Sequence, residues 1–304
     1  MVADILALTL VPMLAAVLAA LATALPGNLL ILRGEAMVGD MMAHAALPGI
    51  VVAFLLTGST SGAAMTLGAM AAALVSVAMV GWVRRAGPIG PAAAMAMTFT
   101  TLFAAGVLLL ELGGARGVHL DVEHALYGSL ESLIWLDATG WGSLLDPAAL
   151  AGLPREVLHL GAAAVVVFGV LGMLWRVLVI ASFDPVHAAT LGLPVRLLTG
   201  VLVAVTATAA VAAFAAVGAI LTIAMLILPA ATARLLTDRL GRQVGLSLMI
   251  AVASAILGTV LAGWGPGWLG HGSAVSASGM IAVTGGAGLA LAALLSPRRR
   301  RAGV

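Results

Sequence analysis

VLVAVTATAAVAAFAAVGAILTIAMLIL, residues 201–228, sits in a run with no ionisable side chain anywhere between Arg196 and Arg234. Crossing about 30 Å of hydrocarbon takes about 20 apolar residues at 1.5 Å each, so the run is long enough for two crossings. We draw them over roughly 195–214 and 217–237. Working outward, further apolar runs bounded by charge or Gly/Pro clusters lie at roughly 5–32, 36–56, 62–83, 90–112, 157–180, 243–263 and 274–295. That makes nine spans. An eight-span count also fits, because Pro26-Gly27-Asn28 interrupts the first run and Arg33, Glu35 and Asp40 crowd its junction with the second.

Composition agrees: 62% hydrophobic residues against 9% charged excludes a water-soluble globule of 304 residues, whose surface would need more charge. Lipid-facing helices need almost none. The predicted fold class is therefore all-α, a polytopic transmembrane helical bundle. It forms a single domain over residues 1–304, with an outer loop at about 113–156 and an inner loop at about 181–195. The N-terminus enters an apolar run without a basic segment or a cleavage site and reads as a first helix.

All basic side chains are arginines, 14 of them. With the N-terminus outside, twelve (Arg33, Arg84, Arg85, Arg176, Arg196, Arg234, Arg239, Arg242 and Arg298 to Arg301) fall on the inner side, and only Arg116 and Arg155 fall outside. Short inner loops carry this excess, which places the C-terminus in the cytoplasm of a bacterial cell, with the chain multi-pass in the inner membrane. The Arg298–Arg301 run, directly after a span, is an inner-face anchor and not a nucleic-acid site. Without lysine there is no Walker-type phosphate loop, and without cysteine no thiolate ligand, so any metal must be met by imidazole, carboxylate or thioether.

The residues least at home in lipid are Asp40 and His44. At i and i+4 they share one helix face, where one oxygen and one nitrogen can meet a single cation such as Zn²⁺ or Mn²⁺. The alternative is a local hydrogen bond in which Asp40 orients His44. Met37, Met41 and Met42 read as packing. His119, His124 and His159 near the outer face match no closed site. Pro26-Gly27, Pro48-Gly49 and Pro229 read as helix breaks at membrane depth, which marks a pathway nearby. In the inner loop, Asp184 is an N-cap, Pro185 opens a short helix and Gly192 ends it. In the acidic outer loop, Ala125 to Leu136 reads as a short interfacial helix carrying Tyr127 and Trp135. Trp264, Trp268 and His271 read as a Gly-rich outer turn at the membrane interface.

Four segments, RGEAMVGDMMAHAALPG (33–49), TFTTLFAAGV (98–107), FDPVHAATLGLP (183–194) and VGAILTIAMLILPAATA (217–233), together resemble the membrane subunits of zinc, manganese and iron ABC importers. These are related to vitamin B12 and siderophore permeases, with the type II ABC importer architecture. The resemblance spans nearly the whole chain. It implies that Asp40 and His44 contact the transported Mn²⁺ or Zn²⁺, with Fe²⁺ a third candidate, and that no cofactor is held permanently. It implies that Asp184, Pro185, His187, Ala188, Ala189, Leu191, Gly192, Leu193 and Pro194 form the coupling helix that docks on an ATPase subunit. Expected partners are two ATP-binding subunits, a metal-loaded solute-binding protein, a second permease copy and the lipid bilayer. The chain itself is then a transport subunit and no enzyme. One departure is Arg33-Gly34 with Glu35, where paired basic residues are more usual.

Overall fold

The computed structural model describes residues 6–58, 62–112, 130–138, 140–268, 270 and 275–296. Hydrocarbon offers no hydrogen bonds to backbone, so each apolar run must satisfy its own amides, and helices do this. A π-helical turn, Leu6–Leu10, leads into α1 (Val11–Leu32), followed by α2 (Met37–Thr57), α3 (Gly62–Ala86) and α4 (Pro91–Leu112). After two 3₁₀ turns, Leu130–Ser132 and Trp141–Leu144, come α5 (Pro147–Ala151), α6 (Arg155–Phe183), α7 (Pro185–Thr190), α8 (Val195–Leu236), α9 (Leu240–Trp268) and α10 (Ala277–Leu295). No strand occurs among the described residues. Eight of the helices are long and apolar enough to cross a membrane.

One of the eight, α8, is two helices in one. Gly218 lies inside it at φ 82°, ψ 173°, a backbone region open essentially to glycine alone. Contacts show what this residue does. Arg33 donates to Thr199, and Gly27 packs against the backbone of Leu226. Gly27 and Arg33 are about 9 Å apart along α1, whereas a straight α8 would hold Thr199 and Leu226 about 40 Å apart. The chain therefore turns back at Gly218, and residues 195–217 and 219–236 cross the bundle in opposite directions. The Ser278 hydroxyl donates to the Val217 carbonyl and the Ser296 hydroxyl to the Leu235 carbonyl. Thus α10 runs alongside the second half of α8, and the described residues traverse the bundle nine times.

The expected helix breaks lie elsewhere. Pro26, Pro48 and Pro229 each sit inside a continuous helix. A membrane helix tolerates proline where neighbouring elements pack around the distortion, and all three are buried. Their glycine neighbours serve close approach. Gly49 and Gly68 put the backbones of α2 and α3 in direct contact, and Gly106 of α4 leaves just enough room for Pro48. A Cβ on Gly27 would collide with the Leu226 carbonyl. Gly27→Val is expected to cost about 3 kcal/mol of stability, read as a lower melting temperature in detergent; an unchanged melting temperature contradicts this packing.

α2 and α8 are the most buried of the long helices, while α3, α4 and α10 are largely exposed. One apolar core joins Leu25 and Leu29 of α1 with Met41 and Met42 of α2 and Leu198 and Leu202 of α8. A second joins Ala15 and Ala19 of α1 with Leu160, Val217 and Leu221 and with the loop residues Leu130 and Trp135. The bundle thus has an arginine end, with Arg33, Thr199, α7 and Ser296, and a loop end, with Gly218, Leu130 and Ala277.

The loop end corrects two expectations. The described part of the stretch Ala125 to Leu136 is a single 3₁₀ turn followed by irregular chain. Trp135 is 1% exposed and donates its indole N–H to the Ala149 carbonyl at 2.8 Å, so it is a core residue. Tyr127, His119 and His124 lie outside the described residues, as does His271. Pro266 stands inside α9, which continues helically to Trp268, and Trp264 and Trp268 remain exposed on it. Glu131 accepts from the Ala277 amide at the start of α10 and ties the loop to the bundle.

Candidate functional site

Asp40 lies in the first turn of α2 and His44 one turn further. Their side chains meet, His44 Nε2 to Asp40 Oδ1, at 3.3 Å, and retain 17% and 25% of their exposure. The pair is neither sealed in the core nor free in solvent. Gly39 packs on the Leu226 side chain, and Leu226 stands near the middle of the crossing formed by residues 219–236. By helical rise Asp40 is about 5 Å and His44 about 11 Å from the Met37 end of α2. The two ionisable groups therefore lie in the half of α2 that follows the α1–α2 turn, and ionisable groups set among apolar helices are functional candidates.

The surroundings of His44 are aromatic. Its ring lies over Phe99 of α4, with centroids 4.7 Å apart, and meets Phe103 edge-on at 5.7 Å and 83°. Phe99 and Phe103 are themselves i and i+4, so the imidazole is held by one face of α4 and oriented by Asp40. Pro48 has no N–H, so the His44 carbonyl lacks the i+4 amide donor of a regular helix. Met41 and Met42 are buried beneath the pair, whereas Met37 is exposed. Among the described residues no three His, Asp or Glu side chains converge as a metal cluster. One copy of the chain offers a divalent cation one carboxylate and one imidazole, both borderline-to-hard donors suited to Mn²⁺, Fe²⁺ or Zn²⁺.

At the arginine end, α7 is fixed by local chemistry. The Asp184 carboxylate accepts from the His187 amide at 2.8 Å, Pro185 takes the first helical position, and Gly192 closes the turn at φ 75°. The Leu193 amide returns to the Ala188 carbonyl at 3.1 Å. Ala188 is fully buried, which pins the helix to the bundle, while Phe183, Val186 and Leu191 are exposed. Ala189 and His187 share that exposed surface. α7 is thus a short helix seated on the bundle at Ala188, with apolar side chains on its outer face.

Asp40 with His44, and Asp184 through Pro194, are thus brought into two defined places, one inside the bundle and one at its arginine end. Pro48 and Gly49 belong to the first place as packing residues. Pro229 is buried inside the second half of α8. Sequence reasoning missed Phe99 and Phe103 as the support of His44; their i, i+4 spacing in the segment 98–107 was the available signal.

The comparisons with known proteins extend over the same segments. The model of the ABC 3 transport family matches residues 6–137 and 148–292. The manganese transport system membrane protein MntD of Bacillus subtilis (strain 168) is 40% identical over 283 residues, covering 92% of this chain and 90% of that protein. The zinc transport system membrane protein TroD of Treponema pallidum (strain Nichols) is 32% identical over 292 residues, 96% of this chain and 75% of that protein. Among solved structures, PsaBC from Streptococcus pneumoniae in complex with Fab shares the fold at a TM-score of 0.75 and 23% identity, covering 96% of this chain and 92% of that one. Matched along nearly its whole length, the chain belongs to the ABC 3 transport family and is a multi-pass membrane permease.

Proposed function

We propose that the chain forms the path of an ATP-driven importer that brings Mn²⁺ or Zn²⁺, or Fe²⁺ by the same ligand chemistry, into a bacterial cell. The observation that carries this reading is the Asp40–His44 pair, in mutual contact among apolar helices yet partly exposed. Two ligands bind a divalent cation weakly, which suits a path that must also release it. A second copy of the permease, meeting the first across this surface, brings a second Asp40 and His44 and completes four donors around one ion. The names of the manganese and zinc relatives support the same cargo.

The remaining assignments follow from the two ends. Arg84 and Arg85 close α3 and Arg234 closes α8, with Arg33 and Arg196 beside α7, so the arginine end and the C-terminus face the cytoplasm of the inner membrane. There α7 and its flanks, Asp184 to Pro194, dock on an ATP-binding subunit, one for each permease copy. The loop end receives metal from a solute-binding protein. ATP hydrolysis belongs to the docked subunits, and the whole permease domain, residues 1–304, performs alternating access without covalent chemistry.

The test is metal-resolved uptake in a bacterial strain stripped of its own importers. Expression of the chain with its ATPase and binding protein is expected to raise cell manganese or zinc, counted by mass spectrometry. No rise in any divalent transition metal would overturn the proposal.

A further inference from the structure

The α1–α2 turn carries two charged residues, Arg33 and Glu35, and the structure gives both of them partners. Arg33 Nε meets Glu35 Oε2 at 2.9 Å, and Arg33 Nη2 donates to Thr199 Oγ1 at 3.0 Å. The two charged side chains keep 14% and 28% of their exposure, so the pair is screened from water more than a surface salt bridge is. Glu35 is fixed on both sides by its backbone. Its amide donates to the Leu30 carbonyl of α1 at 2.8 Å, and its carbonyl accepts from the Val38 amide in the first turn of α2 at 3.0 Å. That first turn also carries Asp40.

The other end of the clamp is equally rigid. Thr199 stands near the start of α8, whose Leu198 amide bonds back to the Pro194 carbonyl at 3.0 Å. Pro194 ends the segment that begins at Asp184. The Leu193–Ala188 and Leu198–Pro194 backbone bonds thus join α7 to the first turn of α8. Arg33 is the side chain that joins this body to the turn holding α2, through a planar guanidinium that serves both partners at once.

We infer that Arg33 is a positioning residue of the transport cycle: through Thr199 on one side and Glu35 on the other it transmits movement of the Asp184–Pro194 segment to the start of α2, and so to Asp40 and His44. The inference rests on the import reading above. It names a continuous chain of bonded groups, and it requires that the chain's two ends move together.

The experiment uses the assembled complex, permease with its ATPase and binding protein, in proteoliposomes, and reads Mn²⁺ and Zn²⁺ taken up per ATP hydrolysed. Thr199→Val keeps the side-chain shape and removes the acceptor; Arg33→Gln removes the charge; Arg33→Lys keeps the charge but loses the fork. Thr199→Val and Arg33→Gln are expected to lower the uptake ratio about fivefold while ATP hydrolysis stays near that of the unaltered complex. The double variant is expected to be no worse than Arg33→Gln alone, because both changes cut one connection. Arg33→Lys is expected to fall between. A merely structural role would lower hydrolysis and uptake together and leave their ratio unchanged, and that result overturns the inference. If Arg33→Gln does not assemble, the ratio in Thr199→Val decides alone. If the unaltered complex takes up neither metal, the import reading fails first and the inference with it.

Discussion

His44→Ala and Asp40→Ala are each expected to reduce metal uptake to the level of empty vesicles while the permease still inserts and assembles. The reason is geometric. The pair lies in the first two turns of α2 with its side chains in mutual contact and only partly exposed. Removing either would leave a cation with a single donor per copy. Assembly survives because the packing of α2 depends on other residues: Gly49 against Gly68, Pro48 against Gly106, and the buried Met41 and Met42. Asp40→Asn separates the two roles of the carboxylate. It keeps a hydrogen-bond acceptor for His44 but removes the charge, and uptake is expected to fall nearly as far as in Asp40→Ala. Uptake at the unaltered rate in all three variants contradicts the site.

The second large effect concerns α7. Val186 and Leu191 are 74% and 57% exposed, and a charge on each makes this face unfit for an apolar groove. Val186→Asp with Leu191→Asp is expected to weaken co-purification of the ATPase subunit more than about tenfold, without changing the melting temperature of the permease alone. The fold stays intact because Ala188, the residue that seats α7 on the bundle, is untouched, as is the Asp184 cap. Unchanged co-purification would remove α7 from the coupling interface.

Much of this was legible in the sequence where the deciding physics is local. The Asp40–His44 contact follows from helical spacing alone. The α7 helix follows from an N-cap carboxylate, a proline at the first position and a glycine at the end, all within one short segment. Long apolar runs follow from hydrocarbon thickness. What was not legible depends on contacts far apart in the chain. The two crossings either side of Gly218 were legible from the length of the apolar run, but the turning residue itself was not, because no charge or proline marks it. Pro26, Pro48 and Pro229, which do carry a signal, stay inside helices because their neighbours hold them there. Trp135 looked interfacial, and a hydrogen bond to Ala149 draws it into the core. The Arg33–Thr199 bond joins residues with most of the permease between them in sequence.

The central claim is that this permease provides a metal path whose opening is driven by a docked ATPase. Its most direct measurement is accumulation of Mn²⁺ and Zn²⁺ in proteoliposomes holding the permease with its ATPase and binding protein, with ATP or with a non-hydrolysable analogue. The expected result is accumulation against a gradient with ATP only, absent when the ATPase is omitted and absent in His44→Ala. Equilibration of metal through the permease alone, indifferent to ATP, would contradict it and make the chain a channel.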